Sequence, residues 1–159
     1  MIDFKTKKVL FIDLDGKTIS GKTFPEDITD FRIQLPVLDK IKETFPNLSY
    51  FFIVTNQGGI GKFISEADFG TKIDAISDLC FFYLNERRLT MYYDYLYCAS
   101  NDKDNPYRKP NTGMLEKLYY NHNLHYNASG KPGDFSDSDK KCSENFGIDY
   151  IDVRDFLEL

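Results

Sequence analysis

Apolar positions along the chain fall into two kinds of run. Short, unbroken ones stand at "KKVLFIDL" (7–14), "SYFFIVT" (49–55) and "YDYLYCAS" (93–100). Their Val, Ile, Phe and Tyr content predicts strands, the first ending at an Asp-Gly turn signal. A weaker run, "LHYNAS" (124–129), and "DYID" (149–152) extend the strand set. Between them the spacing changes to that of helices. "LPVLDKIKETF" (35–45) carries apolar residues at 35, 38 and 41 or 45, with Pro36 in the first turn and Pro46 as a stop. "SEADFGTKIDAISDLCFFYLNERR" (65–88) opens on Ser65 and runs from acids in its first turn to basic residues in its last, which suits the helix dipole. "NTGMLEKLYYNHN" (111–123) and "DSDKKCSENFG" (137–147) follow, the latter closed by Gly147. The order β-α-β-α-β-α-β-α-β predicts an α/β fold with right-handed crossovers, a parallel sheet covered on both faces, and ligands at the carboxyl ends of the strands.

Composition narrows this to one compact domain spanning residues 1–159, since 42% hydrophobic content over 159 residues suffices for one core and is short for two. The 14 Phe, 11 Tyr and 28% charged residues fit a folded chain rather than a disordered one. No apolar stretch approaches the roughly 20 residues of a membrane span, and "MIDFKTKK" lacks a signal-peptide core, so an intracellular protein with no membrane partner is expected. Cys80, Cys98 and Cys142 are scattered and odd in number, which predicts reduced thiols. The formal charge of -5 counts against whole-molecule attraction to nucleic acid, so such binding must rest on a local basic rim.

The strand ends carry the chemistry. Asp13 and Asp15 close the first strand; as "LDG" alone they are equally well an ordinary turn. After the second strand, "VTNQGGIGKF" (54–63) sets Thr55 and Asn56 before a glycine-rich turn whose N–H groups suit an anion. "YRKPNTGM" (107–114) puts Lys109 before a proline-started helix, and "SGKPGDFSDSD" (129–139) adds Asp134, Asp137 and Asp139. Acids, a hydroxyl and a cation at one sheet edge suit phosphoryl transfer: a carboxylate attacks phosphorus only when phosphate charge is neutralised. Asp13 is the candidate nucleophile and Asp15 the candidate proton donor and acceptor.

"FIDLDG", "VTNQGGIGKF", "YRKPNTGM" and "GDFSDSDKKCSENFGI", in that order, resemble the haloacid dehalogenase (HAD) superfamily, subclass III. Within it they look most like the 3'-phosphatase domain of polynucleotide kinase 3'-phosphatases, over about residues 8–157, and the tail "IDYIDVRDFLEL" resembles that family's final strand and short acidic helix. The resemblance implies a Rossmann-like three-layer sandwich with a mainly parallel central sheet and no large cap domain. It implies a Mg2+-dependent phosphomonoester hydrolase that removes 3'-phosphate from DNA ends through an aspartyl-phosphate; a capless domain of this size is expected to be a monomer. Carried over, it makes Asp13, Asp15, Thr55 and Lys109 catalytic. Asn56, Gln57, Gly58, Arg108 and Lys17 become substrate contacts, and Asp13, Asp15, Asn127, Asp134 and Asp139 metal ligands. No kinase half is expected, since no "GxxxxGK[ST]" loop occurs.

Two positions depart from the family pattern. Lys17 occupies the threonine position of Asp-x-Asp-Gly-Thr, with Thr18 next, and Asn127 stands where an Asp is expected. They keep open a weakened HAD-like binding module, while "PEDITDFRIQLPVLDKI" also resembles the small-molecule phosphatases of the histidinol-phosphate or heptose-bisphosphate type. Those phosphatases typically carry a zinc loop of one His and three Cys, whereas residues 64–108 hold only Cys80 and Cys98 and no His. His122 and His125 have no ligand partner at suitable spacing and are read as packing or surface residues. Residues 80–97 are read mainly as aromatic core, with Tyr107 the candidate aromatic beside the site. Lys62, Lys103, Arg108, Lys131, Lys140 and Lys141 form the candidate rim.

Overall fold

The computed structural model describes residues 2–15, 31–87, 91–125, 135–136 and 139–159. Five strands, β1 (Val9–Ile12), β2 (Tyr50–Asn56), β3 (Tyr92–Cys98), β4 (Phe135–Ser136) and β5 (Asp149–Tyr150), form one parallel sheet in the order β3-β2-β1-β4-β5. The helices are α1 (Leu35–Thr44), α2 (Glu66–Leu84), α3 (Gly113–Asn121), α4 (Lys140–Phe146) and α5 (Val153–Leu157). The chain winds outward from β1 to β3 and then returns to β4, so β1 and β4 flank the place where strand order reverses. In open α/β sheets the crevice above such a switch point is where ligands bind, and the segment leaving β1 carries Asp13 and Asp15.

Side chains alternate across β1 and β2, and each parity fills one core. Leu10, Ile12, Phe51 and Ile53 pack with residues of α1, α2 and α5. Val9, Phe11, Phe52 and Val54 pack with residues of α3 and α4. Burial on both faces explains why these strands read as unbroken apolar runs. Each fully buried Phe or Ile contributes about 1.5–3 kcal/mol, and Phe11, Phe51, Phe52 and Ile53 are wholly buried.

Helix ends follow local chemistry. Ser65 Oγ accepts from the Asp68 amide at 3.1 Å and caps α2. Asp139 Oδ1 accepts from the Cys142 amide at 2.7 Å and caps α4, which Gly147 ends in the left-handed region at φ 87°. Asp152 caps α5. Three expectations need correction. Helix α2 stops at Leu84, with the Asn85 amide bonded to Phe81 O and residues Asn85–Arg87 in a 3-10 turn, so no basic residue lies in its last turn. In α1, Val37, Leu38 and Ile41 are buried while Leu35 is exposed. Among the described residues the fourth strand is Phe135–Ser136; of the strand expected at 124–129, Leu124 and His125 lie outside any strand and 126–129 are outside the described residues. Two residues between Asp134 and Asp137 form no recognisable strand pattern; pairing with β1 on one side and β5 on the other makes them one. Among the described residues no helix is long and apolar enough to cross a membrane.

Candidate active site

The register that pairs Ile12 with Ile53 brings Asp13 level with the end of β2. There Lys109 reaches back from the loop before α3. Its Nζ donates to Val54 O at 2.9 Å and lies 3.4 Å from Asp13 Oδ1. The Lys109 side chain is 4% exposed and that of Asp13 31%, so a buried cation faces a partly open carboxylate. The Leu14 amide also donates to Asp13 Oδ1, at 2.8 Å. Both contacts fall on one oxygen, and among the described residues Oδ2 has no hydrogen-bond partner. The carboxylate is thus held in orientation with one oxygen presented.

Asn56, at the tip of β2, sets the position of that lysine. Its Nδ2 donates to Lys109 O at 3.0 Å and its Oδ1 accepts from the Lys109 amide at 2.9 Å. The side chain carried over as a substrate contact is therefore spent on clamping the Lys109 peptide. Gln57 is buried. Its backbone amide extends the sheet ladder to Cys98 O at 2.7 Å, while Nε2 donates to Thr55 Oγ1 at 3.0 Å and to Asp15 Oδ2. Of the expected catalytic set, the structure gathers Asp13 with Lys109, and Asp15 with Thr55 through Gln57.

The glycine-rich turn is partly self-satisfied: the amides of Ile60, Gly61, Lys62 and Phe63 all donate within it. Those of Gly58 and Gly59 donate to nothing among the described residues, and are the turn's candidate anion donors. A Cβ at Gly58 would lie 1.8 Å from Asn101 Oδ1, whose own amide donates to Gly58 O at 3.0 Å. Asn101 belongs to a set that sequence reasoning passed over. Asn105 Oδ1 accepts from the Tyr107 amide at 2.9 Å, and Asn111 Nδ2 donates to both Lys103 O and Asn105 O. These bonds shape the loop that delivers Lys109, and the visible signal was the density of Asn and Asp in "SNDKDNPYRKPN".

Other candidates take more modest places. Arg108 Nη1 donates to Ser100 O at 3.0 Å, bracing the same loop. Tyr107 and Phe63 are exposed, and Lys62 Nζ lies 5.4 Å from the Phe63 ring centre. Lys62, Lys103, Lys140 and Lys141 are exposed as a rim requires. His122 packs 4.8 Å from the Phe52 ring and meets Asp94 Oδ2 at 2.8 Å, which is a structural role. A polar cavity of about 370 Å³ before α3 is lined by Asp104, Asn111, Glu116 and Asn145 among others; none of the candidate side chains lines it, and its carboxylates repel phosphate.

Lys17, Asn127, Lys131, Asp134 and Asp137 lie outside the described residues. Among the described ones no three His, Cys, Asp or Glu side chains converge as a metal cage. Asp139 is the N-cap of α4, so one of its oxygens is already engaged. Asp13 and Asp15 supply hard oxygen donors at one strand end, and Mg2+ characteristically takes only one or two carboxylates with water and substrate phosphate completing its shell. The donor chemistry present fits that ion.

A parallel sheet in the order β3-β2-β1-β4-β5, with two acids beyond β1 and a lysine before α3, has the fold of the HAD-like phosphatases. Two solved structures share it. A D,D-heptose 1,7-bisphosphate phosphatase from B. bronchiseptica, complexed with magnesium and phosphate, superposes with a TM-score of 0.65 at 17% identity, covering 95% of this chain and 86% of that one. A putative HAD-like phosphatase from Mesorhizobium loti gives 0.63 at 21% identity, covering 97% and 86%. The chain belongs to the polynucleotide kinase 3 phosphatase family, whose model matches residues 8–156. It is 34% identical to a bifunctional polynucleotide phosphatase/kinase from Schizosaccharomyces pombe over 96% of its own length, but spans 38% of that relative. It is 31% identical to an uncharacterized 20.8 kDa protein of Autographa californica nuclear polyhedrosis virus, over 98% of this chain and 88% of the other.

Proposed function

We propose that this chain is a Mg2+-dependent phosphatase that removes 3'-phosphate from DNA ends through an aspartyl-phosphate on Asp13. The observation that carries the reading is the Lys109 ammonium, buried, anchored on Val54 O and 3.4 Å from Asp13 Oδ1. A carboxylate so placed approaches a phosphate dianion with a fixed counter-charge already in position. The polynucleotide substrate is supported by family membership and by the yeast relative; magnesium is supported by the donor set and by the ion in the heptose-bisphosphate phosphatase complex.

In the first step an Asp13 oxygen bonds to phosphorus as the bond from phosphorus to the 3'-oxygen breaks, and Asp15 gives its proton to the leaving oxygen. In the second, Asp15 takes a proton from water as that water's oxygen bonds to phosphorus. The bond from Asp13 to phosphorus breaks, and phosphate leaves. Lys109, the Thr55 hydroxyl and the amides of Gly58 and Gly59 hold the phosphoryl oxygens. Asp13 and the Asp15 main-chain carbonyl would hold Mg2+, with Asn127, Asp134 and Asp139 the remaining candidates. When bound, the ion supplies positive charge against the phosphoryl oxygens.

The test is phosphate release from a 3'-phosphorylated oligonucleotide, a 5'-phosphorylated one and a sugar phosphate, with Mg2+ or EDTA, beside Asp13→Asn. Release confined to the 3'-phosphate, lost with EDTA and in Asp13→Asn, is the expected result. Preference for the sugar phosphate would replace the substrate assignment, and no Asp13-dependent release from any substrate would replace catalysis with binding.

A further inference from the structure

Gln57 is the least expected member of the site. Its Nε2 carries two N–H groups and no acceptor lone pair, and both are spent inside the protein, on Thr55 Oγ1 at 3.0 Å and on Asp15 Oδ2. We propose that Gln57 is a positioning residue that turns the Thr55 hydroxyl toward the phosphoryl group and fixes the Asp15 carboxyl for proton delivery to the leaving oxygen. This rests on the phosphatase reading above.

The Thr55 half of the inference follows from counting protons. Thr55 is 1% exposed, and its hydroxyl has one proton to give. Because Oγ1 accepts from Gln57, that proton is directed away from the amide, and among the described residues no acceptor receives it. A buried hydroxyl proton without an acceptor is destabilising, and a phosphoryl oxygen removes that cost on arrival. The Asp15 half follows from rigidity. Gln57 is 4% exposed and its own backbone is bonded to Cys98 O, so its side chain projects from a fixed point of the sheet. Through one amide group it ties the turn after β1 to the end of β2. Neither N–H is left for substrate, so Gln57 acts through its two partners rather than by contact.

The two halves predict different substrate dependence. The Thr55 contact serves every phosphate ester. Asp15 takes a proton from water in the second step whatever the substrate, but its proton delivery in the first step matters only where the leaving oxygen is a poor leaving group, as a sugar 3'-oxygen is and a p-nitrophenolate is not. The experiment compares wild type, Gln57→Leu and Gln57→Glu on a 3'-phosphorylated oligonucleotide and on p-nitrophenyl phosphate, with thermal melting as the check on folding. In Gln57→Leu, kcat/KM, which reports the step in which the leaving oxygen departs, is expected to fall about 10²- to 10³-fold on the oligonucleotide and about tenfold on p-nitrophenyl phosphate, with KM within about threefold on both. Gln57→Glu keeps the shape but replaces both donors by acceptors, so it draws the Thr55 proton toward itself and away from the phosphoryl group and repels the Asp15 carboxylate; it should be at least as impaired, and if the Leu variant fails to fold, this comparison stands alone. Equal losses on the two substrates, a loss confined to KM, or near-normal activity of Gln57→Glu would overturn the role. Wild type without Asp13-dependent release from either substrate would instead remove the phosphatase reading, and the role with it.

Discussion

Replacing Lys109 by Met keeps an unbranched side chain, one atom shorter, and removes its charge. Two unit charges 3.4 Å apart interact by about 5 kcal/mol at an effective dielectric near 20. A phosphoryl oxygen bound to Asp13 at a similar distance from the ammonium would feel an attraction of the same order; the site is about a third exposed at Asp13, so solvent screens part of it and about 3–4 kcal/mol is expected to act on the developing phosphoryl charge. At 1.36 kcal/mol per factor of ten, kcat should fall about 10²- to 10³-fold. The fold should tolerate the change. Val54 O loses one donor, worth about 1 kcal/mol, while a buried ammonium no longer needs desolvation. The assay is steady-state release of p-nitrophenol and of phosphate from a 3'-phosphorylated oligonucleotide with Mg2+, alongside circular dichroism and melting. A folded Lys109→Met variant with kcat within threefold of wild type would show that this ammonium does not neutralise the phosphoryl group.

Asn56→Ala removes both bonds to the Lys109 peptide; about 2 kcal/mol of stability, a drop of roughly 4–8 °C in Tm, and about a tenfold loss in kcat are expected, and an unchanged Tm would refute the clamp. Burial pushes the Cys80 and Cys142 thiols up to about 12, Lys109 partly offsetting the effect at Cys142. Both should therefore resist iodoacetamide at pH 8 until urea unfolds the chain, which mass spectrometry of the alkylated protein reads directly. Because the unfolded thiols ionise near pH 9 and the folded ones do not, stability should fall as pH rises between about 9 and 12; a flat denaturation midpoint over that range would contradict the burial. If Lys62, Lys103, Lys140 and Lys141 steer DNA, kcat/KM on the oligonucleotide should drop with added salt while activity on p-nitrophenyl phosphate stays nearly constant; parallel losses would count against the rim.

The alternation of buried strands and amphipathic helices, Ser65 as a cap, Gly147 as a stop and the acids beyond β1 were all legible in the order of residues. Each depends on neighbours a few positions apart, where side-chain spacing and backbone chemistry act directly. The strand at Phe135–Ser136 was not legible, because two residues carry no periodic signal and exist as a strand only between β1 and β5. Nor were the roles of Asn56 and Gln57. Their types announced hydrogen bonding, but an amide serves a substrate or a neighbouring loop equally well. Their partners at Lys109 and Asp15 lie 53 and 42 positions away. The chain by itself determined an α/β fold with acids, a hydroxyl and a cation at its strand ends; folding decided which of these side chains meet and which residues hold them in place. The physical reason is that a hydrogen bond is specified by distance and direction in space, and only the packed sheet and its loops supply those.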